Sequence, residues 1–180
     1  GLSFFPAFCL AFLVPTVIAY YLDENFSQLI NNQFVLEISI FIGGLILLYM
    51  VGFIDDLISV SPYGKFAVQF ICAGLLILCG LGIDNLDDIF GLNAIPKWIG
   101  IILTLLVVVF IINAYNLIDG IDGLCSSLAL IALAVLGFWF SINGMIHYAL
   151  VASAMIGVTV VYFFFNNSHG RFRTFMGDTG

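Results

Sequence analysis

Long apolar runs alternate with short polar stretches along the whole chain. A bilayer core takes roughly 20 predominantly apolar residues per helix. Segments near 4–22, 35–53, 66–83, 98–115, 124–142 and 147–165 meet that measure. The runs are continuously apolar and lack the alternation of lipid-facing strands, which argues against a barrel. Connecting stretches 23–34, 54–65, 84–97, 116–123, 143–146 and 166–180 hold nearly all the polar residues. No linker, low-complexity tract or internal repeat divides them. The pattern predicts an all-α fold, a polytopic membrane bundle of about six transmembrane helices forming one domain over 1–180.

Composition narrows the class. Of 180 residues, 63% are hydrophobic and 8% charged, with a net charge of -7 and mean hydropathy of +1.20. A soluble domain carries about a quarter charged residues, and disordered chains are poor in apolar ones. Nucleic-acid binding lacks the basic stripe it needs. The chain opens on Gly1 without a signal-peptide pattern and stops at Gly180 inside a motif. It reads as a catalytic domain truncated at both ends, an internal piece of a longer polytopic protein.

Charge then orients the spans. Loops 54–65, 116–123 and 166–180 share a side and carry Lys65, Arg171 and Arg173, against Lys97 alone on the other. The positive-inside rule puts the first set in the cytoplasm. Asp23, Glu24, Glu37, Asp84, Asp87 and Asp88 fall to the opposite side, where scattered acids read as solvated loops. Asp55, Asp56, Asp119, Asp122 and Asp178 instead abut the cytoplasmic ends of apolar spans. Five converging carboxylates repel one another unless a cation joins them, and hard oxygen ligands suit Mg2+ or Mn2+.

Three clusters carry the candidate chemistry. In Gly52-Phe-Ile-Asp55-Asp56-Leu57, paired acids at a helix end can bind metal or share base and metal roles. A polar helix cap accounts for them equally well. Lys65 opens the next span, where an ammonium can meet a phosphate or simply snorkel. The second cluster, Asn113-Ala-Tyr-Asn116-Leu-Ile-Asp119-Gly-Ile-Asp122-Gly-Leu, repeats an amide or acid every third residue. That spacing keeps the groups near one helix face, and a lipid-facing helix has no use for them. In the third, Phe175-Met-Gly-Asp178-Thr-Gly, an acid between glycines suits metal or close phosphate contact. Together they describe a Mg2+-dependent site for phosphate chemistry at the cytoplasmic surface.

At these clusters the sequence closely resembles the polyprenyl-phosphate N-acetylhexosamine-1-phosphate transferases, glycosyltransferase family 4. The long Asn/Asp motif is specific, and all three motifs stand in the family's order. The resemblance implies transfer of a sugar 1-phosphate from a UDP-sugar donor to a polyprenyl phosphate acceptor, with UMP leaving. It implies metal-site roles for Asp178 and Asn116, a uracil contact for Asp122, and a nucleoside or catalytic contact for Asp119. Asn113 falls in the same substrate-binding motif, Lys65 aligns with a lysine on the diphosphate, and Asp55 and Asp56 match the essential acid pair. The short segment Ile58–Lys65 looks like the bacterial undecaprenyl-phosphate GlcNAc-1-phosphate branch. The alternative is the phospho-MurNAc-pentapeptide translocase of the same family. The resemblance further implies a multi-pass protein of the inner (plasma) membrane, with a second copy of the chain as a candidate partner. It is compatible with direct attack by the acceptor, the preferred reading, and with a covalent enzyme intermediate. The family's basic entry motif and His-rich loop fall outside 1–180, so the piece alone is expected not to turn over.

Two rivals read the acids differently. Intramembrane prenyltransferases use four-residue spacing in two related motifs, and ion-coupled transporters place acids near the midplane in paired repeats; neither pattern occurs here. Cys9, Cys72, Cys79 and Cys125 form no CxxC pair and read as buried small hydrophobes. His147 is expected at a span end, and His169 facing the site is a minor candidate. Tyr162-Phe163-Phe164-Phe165 reads as lipid contact or interface anchoring.

Overall fold

The computed structural model describes residues 2–22, 32–84, 95–121, 123–168 and 177. Among them the regular structure is entirely helical: α1 Phe4–Leu22, α2 Asn32–Ile58, α3 Pro62–Leu78, α4 Lys97–Ile118, α5 Leu124–Ile142 and α6 Ile146–Asn166. Five are long and apolar enough to cross a membrane. The exception is α3, with 17 residues, roughly 25 Å at 1.5 Å per residue. The expected third span, 66–83, is therefore displaced. Ser61 and Pro62 start the helix early, and Gly80 at φ 82° ends it.

Two other boundaries also move. The apolar pattern ended α2 near residue 53 and α4 near 115, yet both helices run on through their polar clusters. Helix α2 includes Asp55 and Asp56 and stops where Ser59 turns to φ 55°. Helix α4 includes Asn116 and stops at Asp119, just before Gly120. Hydropathy falls before the backbone breaks, because Asn and Asp are tolerated in a last turn that meets polar surroundings.

Packing follows the rules of a lipid solvent, where small residues and interhelical hydrogen bonds hold helices together. Helices α5 and α6 form the most extensive pair, Gly137 lying against Ala152 so closely that a methyl there would stand 3.2 Å from the Ala152 Cβ. Helix α3 sits between α2 and α4, with buried Cys72 against Gly44. Phe8 and Phe12 of α1 and Ala154 and Val158 of α6 make a buried cluster, flanked by Phe34, Ile38, Phe41 and Leu45 of α2. Elsewhere the outer faces are apolar, with Phe110, Phe138 and Phe164 exposed by 72%, 68% and 66%. Such a surface is costly in water and suited to acyl chains.

At the end of the bundle away from Asp55 and Asp119, Glu37 overturns its reading as a loop acid. It lies within α2, accepting from Tyr148 Oη at 3.1 Å and from Gln33 Nε2 at 2.9 Å. These bonds satisfy a carboxylate that the helix carries in toward apolar surroundings. His147 stands in the first turn of α6, its ring stacked on Phe34 at 4.1 Å. Asp23, Glu24, Asp87 and Asp88 lie outside the described residues.

Close docking also fixes the start of α4. Ile83 N–H donates to Thr104 Oγ1 at 2.9 Å, and Thr104 in turn donates to Gly100 O at 2.8 Å. A methyl on Gly100 would overlap the Ile83 carbonyl oxygen. Gly100→Ala is therefore expected to cost about 1–3 kcal/mol, because backbone must move. Gly74→Ala, with open space around the added Cβ, is expected to be neutral or slightly stabilising. Unfolding of both variants in detergent micelles checks the contrast, and equal stabilities would contradict it.

Candidate functional site

The site begins at the turn between α2 and α3. Ser59 leaves the helix in the left-handed region, its N–H still donating to Asp55 O at 3.0 Å. That conformation ends a helix by turning the chain back over its last carbonyls. Ser61 then caps α3, its Oγ accepting from Gly64 N at 3.3 Å, and Pro62 occupies the first turn, where no N–H is needed. Asp55 holds this turn from both sides. Its Oδ1 accepts from Val60 N at 2.6 Å and its Oδ2 pairs with Lys65 Nζ at 2.6 Å. The Asp55 side chain is 11% exposed and that of Lys65 32%. The adjacent acids thus differ in setting: Asp55 is turned into the α2–α3 junction, while Asp56, about 100° further around the helix, is exposed.

The Asn/Asp motif spreads over the end of α4 and the start of α5. Asn113 does not face open space. Its Nδ2 donates to Gln69 Oε1 of α3 and to Val109 O, each at 2.7 Å. It therefore joins α4 to α3 through a glutamine that is itself buried. Asn116, nearly one turn on, is exposed. Asp119 ends α4 and bridges two other segments, its Oδ1 accepting from Tyr162 Oη at 3.3 Å and its Oδ2 from Gly177 N at 3.2 Å. Gly123, at φ 72°, starts α5 and donates its N–H to Asn166 Oδ1 at 2.6 Å.

Gly177 is the meeting point. Its backbone lies against both Asp119 and Asp56, and an added Cβ would stand 3.4 Å from each Asp56 carboxylate oxygen. With φ at 64°, the position favours glycine twice over, through conformation and through space. Two carboxylates from the ends of α2 and α4 therefore converge on one bare stretch of backbone. All-oxygen donors on separate elements fit a hard divalent cation. Among the described residues no group of three His, Cys, Asp or Glu could hold a metal ion. Asp122 and Asp178, and with them His169, Arg171 and Arg173, lie outside the described residues.

The structure thus brings together Asp55, Asp56, Lys65 and Asp119 with Gly177, places Asn116 on the exposed end of α4, and ties Asn113 into the α3–α4 contact. Sequence reasoning missed Gln69 and Tyr162, and did not foresee that Asn166 and the Gly123 backbone bond each other. Tyr162 and Phe163, read as lipid contacts, instead face the motif: Tyr162 bonds Asp119, and Phe163 Cε2 lies 3.6 Å from where a Gly123 Cβ would stand. The available signal was spacing. Tyr162 and Asn166 are four apart, so they share a helix face, and one member of that pair is an amide at the end of an apolar run.

Comparisons with known proteins cover the region that holds these residues. The sequence profile described as Glycosyl transferase family 4 matches residues 38–180. The chain is 34% identical over 179 residues to a phospho-N-acetylmuramoyl-pentapeptide-transferase of Streptococcus pneumoniae (strain Taiwan19F-14), covering 95% of this chain and 53% of that protein. It is 30% identical over 174 residues to an undecaprenyl-phosphate alpha-N-acetylglucosaminyl 1-phosphate transferase of Yersinia pestis, covering 93% of this chain and 48% of that protein. The chain spans about half the length of the curated relatives it matches. No solved structure matches it.

The Asp55–Lys65 pair carries a thermodynamic prediction. Asp55→Asn and Lys65→Met should each destabilise the protein by about 1.5 kcal/mol, the low end of the range for hydrogen bonds to charged groups, because Lys65 is partly exposed. Combined, they should cost less than the sum of the two. A double-mutant cycle by denaturation in micelles measures the coupling, and strict additivity would show that the pair does not act as one.

Proposed function

The chain belongs to glycosyl transferase family 4, and from that premise we propose that its site transfers GlcNAc 1-phosphate from UDP-GlcNAc to undecaprenyl phosphate at the cytoplasmic face of the plasma membrane. The observation that carries this reading is the convergence of Asp56 and Asp119 on the Gly177 backbone at one end of an apolar bundle. Such a place meets a water-soluble donor from one side and a lipid-borne acceptor from the other. The product, a diphosphate-linked lipid sugar, is a starting unit for cell-envelope polysaccharide.

In the reaction an oxygen of the acceptor phosphate attacks the sugar-linked phosphorus of the donor. The new P–O bond forms as the bond from that phosphorus to the bridging oxygen breaks, and UMP departs with the bridging oxygen. Asp56 is the member of the acid pair suited to take a proton from the acceptor phosphate, because it is exposed while Asp55 is held by Lys65 and Val60. Lys65 reaches the same turn and adds a positive charge where a diphosphate would lie. Asp119 and Asp122 would contact the nucleoside, with Asn113 holding the helix that carries them. Asn116 and Asp178 would hold Mg2+, or Mn2+, with Asp56 and Asp119 nearby as further oxygen donors. The ion would neutralise charge building on the diphosphate.

A second reading is transfer of phospho-MurNAc-pentapeptide, favoured by the 34% identity to the Streptococcus pneumoniae relative. The compact Ser59–Ser61 turn, in place of a longer basic stretch, supports the GlcNAc reading.

Radiolabelled UDP-sugars offered to the full-length enzyme separate the two. The expected result is UMP release from UDP-GlcNAc that requires polyprenyl phosphate and is abolished by EDTA. Exclusive use of UDP-MurNAc-pentapeptide would replace the first reading by the second. Asp56→Asn should lower turnover by about 10²–10⁴-fold, the usual contribution of a positioned base. Wild-type rates in single variants of Asp55, Asp56, Asn116 and Asp178 would sink the site.

A further inference from the structure

We propose that Tyr162 and Asn166, one turn apart at the C-terminal end of α6, are positioning residues that clamp the Asp119–Gly123 segment and so set donor affinity. The nucleotide role of that segment rests on the function proposed above; the clamp itself rests on geometry. Asn166 is 2% exposed, and its Oδ1 accepts from the Gly123 N–H in a buried bond of 2.6 Å. Four residues earlier on the same face, Tyr162 Oη donates to Asp119 Oδ1 at 3.3 Å. One helix end thus grips both Asp119, at the end of α4, and Gly123, at the start of α5.

The grip matters because, among the described residues, the Gly177 N–H on Asp119 is the other side-chain bond that ties these positions to a separate segment. Helices α4 and α5 pack only sparsely on each other, and Gly120 and Gly123 loosen the backbone between them. Gly123 sits at φ 72°, with Phe163 and Asn167 of α6 in ordinary contact with the site of an added Cβ. On its other side the Gly123 carbonyl is tied into α5, accepting from Ser127 N at 3.0 Å and Ser126 Oγ at 3.3 Å. The N–H of Gly123 is the group left to fix the segment's approach, and Asn166 takes it. Since α5 and α6 form the most extensive helix pair, loss of this bond should free the segment without parting the helices.

The test uses the full-length protein with Asn166→Leu, Tyr162→Phe and Asn166→Asp. Three readouts are taken: hydrogen exchange over 119–123, UMP binding by calorimetry, and separate KM values for donor and acceptor. Asn166→Leu should speed exchange at Gly123, weaken UMP binding and raise donor KM about tenfold, the change one lost buried hydrogen bond carries, with acceptor KM unchanged. Tyr162→Phe should act in the same direction and more weakly. Asn166→Asp, which keeps the acceptor oxygen, should restore slow exchange. A lowered Tm in Asn166→Leu with unchanged exchange and donor KM would overturn the clamp and leave Asn166 a stabiliser of α6. Wild-type protein that binds no UMP, with exchange still governed by Asn166, would support the clamp while refuting the nucleotide function.

Discussion

A polar group carried into a bilayer has only the protein to bond with, and this constraint organises the rest of the molecule. Glu37 turns to Tyr148, Asn113 to Gln69, and Thr104 to Ile83, each bond joining segments that apolar packing alone would leave loosely fixed. Because hydrocarbon offers helices little reason to prefer one neighbour over another, these few polar links set which faces meet. Their positions also leave the acids at one end free of the core, where charge can be used.

The adjacent acids at the end of α2 show how one short sequence supports two tasks. Asp55 is committed to architecture, tying the α2 terminus to Val60 and Lys65 across a three-residue turn. Asp56, one position later and turned about 100°, faces Gly177. A largely enclosed, paired carboxylate makes a rigid base for its exposed neighbour. Preorganisation of this kind is what phosphate chemistry draws on, since charge placement does most of the work there.

Much of this was legible in the sequence. Apolar runs marked the helices because span length is a property of the bilayer, and the Asn/Asp motif pointed to a candidate site because its groups make no sense on a lipid face. The errors came where hydropathy and backbone part company. Asp55, Asp56 and Asn116 are helical although polar, and α3 is short because Gly80 ends it, which no average over a window registers. Tyr162, Phe163 and Asn166 were harder still. In isolation an aromatic run at a span end is a membrane anchor; only the fold, by laying α6 beside Gly123, gives it a polar partner. Long-range pairing of that sort leaves no local signature beyond its four-residue spacing.

The contact of Gly177 with Asp56 spans roughly 120 positions of chain. A ribosome feeding this sequence into a membrane delivers the α2 acids well before the backbone that meets them. Until α6 and the residues after it have been threaded, the carboxylates at the ends of α2 and α4 have no shared strand of backbone between them. Their meeting is consequently a late event relative to the insertion of α2 and α4. A chain stalled before α6 would sit in the bilayer as a set of inserted helices whose acids have not yet met the Gly177 backbone.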